Sequence, residues 1–429
     1  MIEILSLKDN ILGLLSFVIL FLLFFVIGVR SQKNYLLKRF YFFAFLIRIF
    51  SAYFNIFLFK VVLNSVADTG RYYNHSFLIR EDFINGRFSF SNISWSDSTY
   101  ITGFFAGLIS IITPSNYLTI SFVFTVFGFI GSWRIYKTFL KIYPNATKEL
   151  AFMILFLPSL FFWGSGLLKD PLSLFGLGLM FSASYTLFIE YKISIKSILM
   201  LIIGLVFASL IKAYIPIVYI PCFLFLIYRN AMLKIKFKVT KFFLFPLIVL
   251  VLVSIGYIGL AKFSELNENF SSENAGKAVQ SIQQFYKDNP ELLGGSSYDI
   301  GTISPNIFEN TKLIPSAFII TYFRPYIWEA KKILYIPSLY ESFISFYFIF
   351  YFVFKIGIIQ TIRIIKSDIF LQFCLLFSII FGVVVGLSSF NFGTLMRYKI
   401  PSMPFWTTFL IITYKKFRTL NFEKKTVDT

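Results

Sequence analysis

The chain has 429 residues, of which 57% are hydrophobic and 14% charged, and its net charge is +19. A soluble domain of this size does not carry so little charge, so lipid is the solvent for most of the molecule. The excess of Lys and Arg lies between apolar runs, where it reports topology and anionic lipid, and nucleic acid is excluded as a partner.

Apolar runs of about 20 residues predict crossing helices, and basic clusters assign their sides. The first run, 11–29, follows acidic Glu3 and Asp9 and is long enough to remain as a span rather than a cleaved leader. Arg30, Lys33, Lys38 and Arg39 then mark a cytoplasmic loop, which puts the N-terminus outside. A second run, 41–63, delivers a polar first outer loop, 64–100, that contains Asp68, Arg71, Tyr72 and His75. The apolar stretch 101–113 is too short to cross and reads as re-entrant or tilted. Residues 118–136 lead back to Arg134, Lys137, Lys141 and Lys148, and 149–163 rises outward again. The stretch 158–171 is therefore expected as an external turn, with Gly164-Ser165-Gly166 bending the backbone and Lys169-Asp170 opening the next span, 172–189.

Lys192 and Lys196 mark the following inner turn. The long apolar stretch 198–227 holds a charge and a proline at its middle, which predicts two short spans with Lys212 at their outer turn. After a basic segment ending at Lys241, the run 242–261 leads to a large outer region, 262–337. Ala278, Ile282 and Phe285 are spaced as one face of a surface helix, which Gly294-Gly295-Ser296-Ser297 would end. Spans at 342–354, 369–387 and 400–413 follow, the last after a turn, 389–398, and before a basic tail. The sum is an all-α polytopic transmembrane bundle of about eleven spans, forming a single integral membrane domain over 1–429, with the C-terminus cytoplasmic.

Five charged groups share the expected outer face: Asp68 with Arg71, Lys169 with Asp170, Lys212, Arg324 with Glu329, and Arg397. Charge near the membrane plane is costly to keep, so the set reads as functional; the alternative is that each group closes its own turn or neutralises a neighbour, as Arg324 would Glu329. Lys and Arg suit the oxygens of a lipid-linked diphosphate. Arg324 and Arg397 are assigned to that diphosphate, with Lys169 and Lys212 in support. Asp68 is the expected general base and Glu329 the second candidate, while Asp170 orients Lys169. The single His75 excludes a histidine cluster, and Cys222 and Cys374 lack ligand spacing, so a His-based metal centre is not expected.

These residues also carry a resemblance. The 158–171 stretch, with its Pro, Phe-Trp, Ser and Lys-acidic pattern, resembles bacterial O-antigen and exopolysaccharide polymerases. Phe323-Arg324-Pro325-Tyr326-Ile327-Trp328-Glu329-Ala330 is similar to a Phe-Arg-Pro-aromatic segment of that group. Asn391-Phe392-Gly393-Thr394-Leu395-Met396-Arg397 resembles its Asn-x-Gly-x-x-x-Arg turn, and Asp68 with Tyr72 its early Asp-x-x-x-Tyr element. The four occur in order across 68–405. The resemblance implies a polymerase of surface polysaccharide in the bacterial inner membrane, with an undecaprenyl-diphosphate-linked glycan as substrate, no required metal or other cofactor, and Tyr72 and Asn391 in supporting roles, to which Arg71 is added as the charge beside Asp68. It leaves 262–337 as a lid or as a docking surface for a chain-length regulator. The early acidic loop also resembles that of the lipid-sugar-dependent glycosyltransferases of the C superfamily, although a clear Asp-x-Asp is missing. A transferase using a lipid-monophosphate sugar is therefore a second reading. A flippase for lipid-linked oligosaccharides is a third, against which the one-sided charge argues.

Overall fold

A computed structural model describes residues 7–59, 68–113, 116–234, 280–281, 283–285, 288, 298–304 and 307–427. Its regular elements are all helical, with no strand among the described residues. The expected span 242–261 and the Gly-Ser stretch 294–297 fall outside them, as does most of the expected surface helix. The chain divides into two compact units, Met1–Ala213 and Tyr214–Thr429.

The first unit holds α1 (Leu7–Arg30), α2 (Tyr35–Phe57), α3 (Asp68–Ile84), α4 (Ser98–Ile112), α5 (Tyr117–Ile142), α6 (Thr147–Ile154), α7 (Pro158–Trp163), α8 (Lys169–Ser184) and α9 (Ile195–Lys212). Asparagines start two of the long helices: the side-chain oxygen of Asn34 accepts from Leu37 N–H, and that of Asn116 from Leu118 N–H. The centre of the unit is the contact between α5 and α8, where Gly131 and Gly178 meet backbone to backbone. A Cβ on Gly178 would lie 2.2 Å from the Gly131 carbonyl oxygen, so only glycine permits the approach. Between lipid-facing helices such close backbone contact gives dispersion what the hydrophobic effect cannot supply.

Two expected features differ in this unit. The polar loop 64–100 contains the helix α3, whose buried residues Tyr72, Tyr73, Ser76 and Ile79 recur at helical spacing. Those residues pack against α4, and the Ser110 hydroxyl donates to the Ser76 carbonyl at 3.4 Å. The run 149–163 is divided into α6 and α7, because Pro158 supplies no N–H and begins a new helix.

The second unit holds α10 (Tyr214–Lys234), α11 (Ile314–Phe323), α12 (Ile336–Tyr351), α13 (Ile358–Lys366), α14 (Ile369–Ser388), α15 (Phe392–Tyr398) and α16 (Met403–Val427). Tyr322 of α11 sits at its core: its hydroxyl donates to the Ser378 carbonyl at 2.9 Å, and its ring stacks on Trp406 at 4.7 Å. The Trp406 indole N–H in turn donates to the Ser345 hydroxyl of α12 at 2.9 Å. These bonds give each buried polar tip a partner while the rings fill the space between helices.

Eight helices among the described residues are long and apolar enough to cross a membrane: Ile11–Arg30, Tyr35–Phe57, Tyr117–Ile142, Lys169–Ile189, Ile195–Lys212, Tyr214–Leu233, Ile333–Ile356 and Ile369–Ser388. A shorter apolar helix, Ser98–Ile112, stands where the re-entrant or tilted segment is expected. The division of 198–227 at Lys212 is as the sequence predicts.

Candidate functional sites

In the first unit the chemistry gathers around the break between α7 and α8. Gly164, Ser165 and Gly166 are all buried, whereas the sequence suggested a water-exposed turn. The reason is that neighbouring side chains replace water. Arg48, fully buried midway along α2, donates from Nη1 to the Gly164 carbonyl at 2.8 Å and from Nη2 to the Ser132 hydroxyl at 2.7 Å. Asn55 Nδ2 donates to the Phe162 carbonyl at 2.8 Å, and the Gly166 N–H donates to Thr125 Oγ1 at 2.9 Å. Gly166 has φ +81°, a left-handed conformation that favours glycine. Irregular backbone level with the middle of α2 and α5 thus finds its partners inside the protein.

The break delivers Lys169 and Asp170 to the first turn of α8. Lys169 Nζ donates to Ser98 Oγ at 2.8 Å and Thr99 Oγ1 at 2.9 Å, at the start of α4, and lies 5.9 Å from the centre of the Tyr72 ring. Asp68 opens α3 one turn before Tyr72, while Arg71 is exposed. Lys169 therefore joins the N-terminal ends of α4 and α8 to the first turns of α3, and each of those ends carries a carboxylate of the chain: Asp97 caps α4, and Asp170 and Asp68 stand in the first turns of α8 and α3. Asp170 is fully buried and accepts from Lys212 Nζ at 2.6 Å. Burial of both ions makes each dependent on the other.

In the second unit Arg324 and Glu329 form a fork-to-fork pair, with Nε to Oε2 at 3.0 Å and Nη2 to Oε1. Three rings surround the guanidinium, Tyr298 at 5.3 Å, Phe392 at 5.4 Å and Tyr326 at 5.5 Å from their centres. The Tyr298 hydroxyl is anchored by donation to the Ser389 carbonyl at 2.8 Å, and burial pushes its phenol up. Burial opposes the charge on Glu329, but hydrogen bonds from Arg324 and from the Tyr326 N–H outweigh it and hold the carboxyl below its ordinary value. A carboxylate so held takes up protons weakly. Asn391 caps α15, its Oδ1 accepting from the Thr394 N–H at 2.8 Å, which fixes the adjacent Phe392 under Arg324. Arg397 is half-buried further along α15.

The expected site residues thus form two groups in separate units: Asp68, Arg71, Tyr72, Lys169, Asp170 and Lys212, and Arg324, Glu329, Asn391 and Arg397. Arg48 was missed, although a lone guanidinium inside an apolar run is a signal in itself. So was a buried pair in the second unit, Lys399 Nζ 3.7 Å from Glu341 Oε2 with a donation to Ser338 Oγ at 2.7 Å. Glu341 stands at the edge of an apolar run and Lys399 beside Arg397, so both pass for boundary charges. Among the described residues no three His, Cys, Asp or Glu side chains gather as metal ligands would. The chain matches no protein-family model, no curated protein and no solved structure.

Proposed function

We propose that the chain is a glycosyltransferase of the polysaccharide-polymerase type. It joins lipid-diphosphate-linked glycan units on the outer face of a bacterial inner membrane, from a bundle of about eleven spans with the N-terminus out and the C-terminus in. The observation that carries this reading is Lys169: a cation bound to the Ser98 and Thr99 hydroxyls and beside the ring of Tyr72, which itself lies one turn of α3 beyond Asp68. In this reading Lys169 in the first unit meets phosphate oxygens, and Arg324 and Arg397 are the cations of the second unit assigned to the same chemistry. The acceptor hydroxyl attacks the anomeric carbon, its proton passes to Asp68, and the bond to the diphosphate breaks with the electron pair leaving on the phosphate oxygen. Lys212 serves by fixing Asp170 and with it the first turn of α8.

The test is complementation of a deletion strain with Lys169→Ala and Arg397→Ala, at matched membrane levels of protein. Chain extension is expected to fall by about 100-fold, with single lipid-linked units accumulating in the outer leaflet. Normal ladders in both variants would remove the assigned roles. Accumulation in the inner leaflet would point to a flippase.

A further inference from the structure

A cavity of about 740 Å³ opens along the outer side of α2, away from the face on which Arg48 reaches the α7–α8 break. Phe43, Ile47 and Phe50 of α2 form one wall and Phe152 of α6 the other, and the lining is almost entirely apolar. Phe40 and Phe156, 6.3 Å between ring centres, meet across it. Two cations stand at one end, Arg39 on α2 and Lys148 on α6. Both are exposed, and among the described residues neither is in an ion pair. The nearest carboxylate in sequence to Lys148 is the half-buried Glu149.

The dimensions and the polarity fit one kind of occupant. From Arg39 to Phe50 the helix rises about 16 Å, close to the roughly 15 Å of hydrocarbon in one leaflet. A free anion would use the two cations and leave the apolar walls unfilled; a neutral lipid would fill the walls and leave the cations unmatched. We propose that this groove binds an anionic glycerophospholipid, its phosphate between Arg39 and Lys148 and one acyl chain along Phe43, Ile47 and Phe50. The site is separate from the Lys169 cluster, and its occupancy is read without glycan transfer.

The experiment titrates the purified full chain in zwitterionic detergent with dioleoylphosphatidylglycerol and follows its melting temperature. Dioleoylphosphatidylcholine and inorganic phosphate are titrated in parallel. Phosphatidylglycerol is expected to stabilise saturably at concentrations where the other two do not. Half-saturation should weaken about fivefold in Arg39→Gln or Lys148→Gln and about 30-fold in the double variant, from the usual contribution of a basic residue at an anionic surface. Lys33→Gln with Lys38→Gln, outside the groove, should leave it unchanged. Equal action of the two lipids, the same shift with phosphate alone, or undiminished phosphatidylglycerol affinity in both single variants would each overturn the proposal.

Discussion

The two candidate sites hold their ions by opposite means. At the start of α8 the Asp170–Lys212 pair is sealed from solvent, and irregular backbone beside it is held by side chains from α2 and α5. Around α15 the Arg324–Glu329 pair is partly open, and it is held by a short local segment and three rings. A sealed pair is indispensable to its surroundings because either ion alone is uncompensated. A caged pair keeps part of each ion within reach of water, so the loss of one partner costs less than in the sealed pair.

The largest expected effect of breaking this contrast is on the sealed side. Asp170→Ala should destabilise the purified protein by about 3–5 kcal/mol, measured by denaturant unfolding in detergent, whereas Asp170→Leu combined with Lys212→Met should recover most of the loss. A double variant as unstable as the single one would show that the pair is more than a matched charge. Next comes Arg48→Met, which orphans the Gly164 carbonyl and should cost about 1–3 kcal/mol by the same assay, with partial recovery in Arg48→Lys.

Arg324→Ala should be the mildest, about 1–2 kcal/mol, while the proposed polymer formation is lost. Because Glu329 is held below its ordinary value, the pair's stabilisation is fully present above pH 4.5 and fades as pH falls through the lower folded value. An acid titration of unfolding should therefore separate wild type from Arg324→Ala at neutral pH and merge them in acid. Curves that stay parallel throughout would remove Glu329 from the pair's energetics.

The contrast also explains what the sequence could disclose. Hydropathy runs locate α1, α8 and α14 to within a few residues and α2 and α12 only to within six to nine, and the charge at Lys212 divides α9 from α10 as expected, because both signals are local. The partner of Lys212 is not local: Asp170 lies 42 residues away, and nothing at either position names the other. The amphipathic face of α3 was readable at Tyr72, Tyr73, Ser76 and Ile79, but its polar residues made the whole stretch look like a loop. The 158–171 stretch reads from the sequence as an external turn, and its burial is not legible there because Arg48 and Thr125, which bond to it, lie far away in the chain.

The Arg48 bond to Gly164 spans 116 residues, and it runs from an earlier helix to a later one. During synthesis the guanidinium thus leaves the ribosome well before the α7–α8 break to which it will bond. The donor is in place first and the acceptor comes to it, so a chain deprived of α2 should leave the Gly164 and Phe162 carbonyls without their partners.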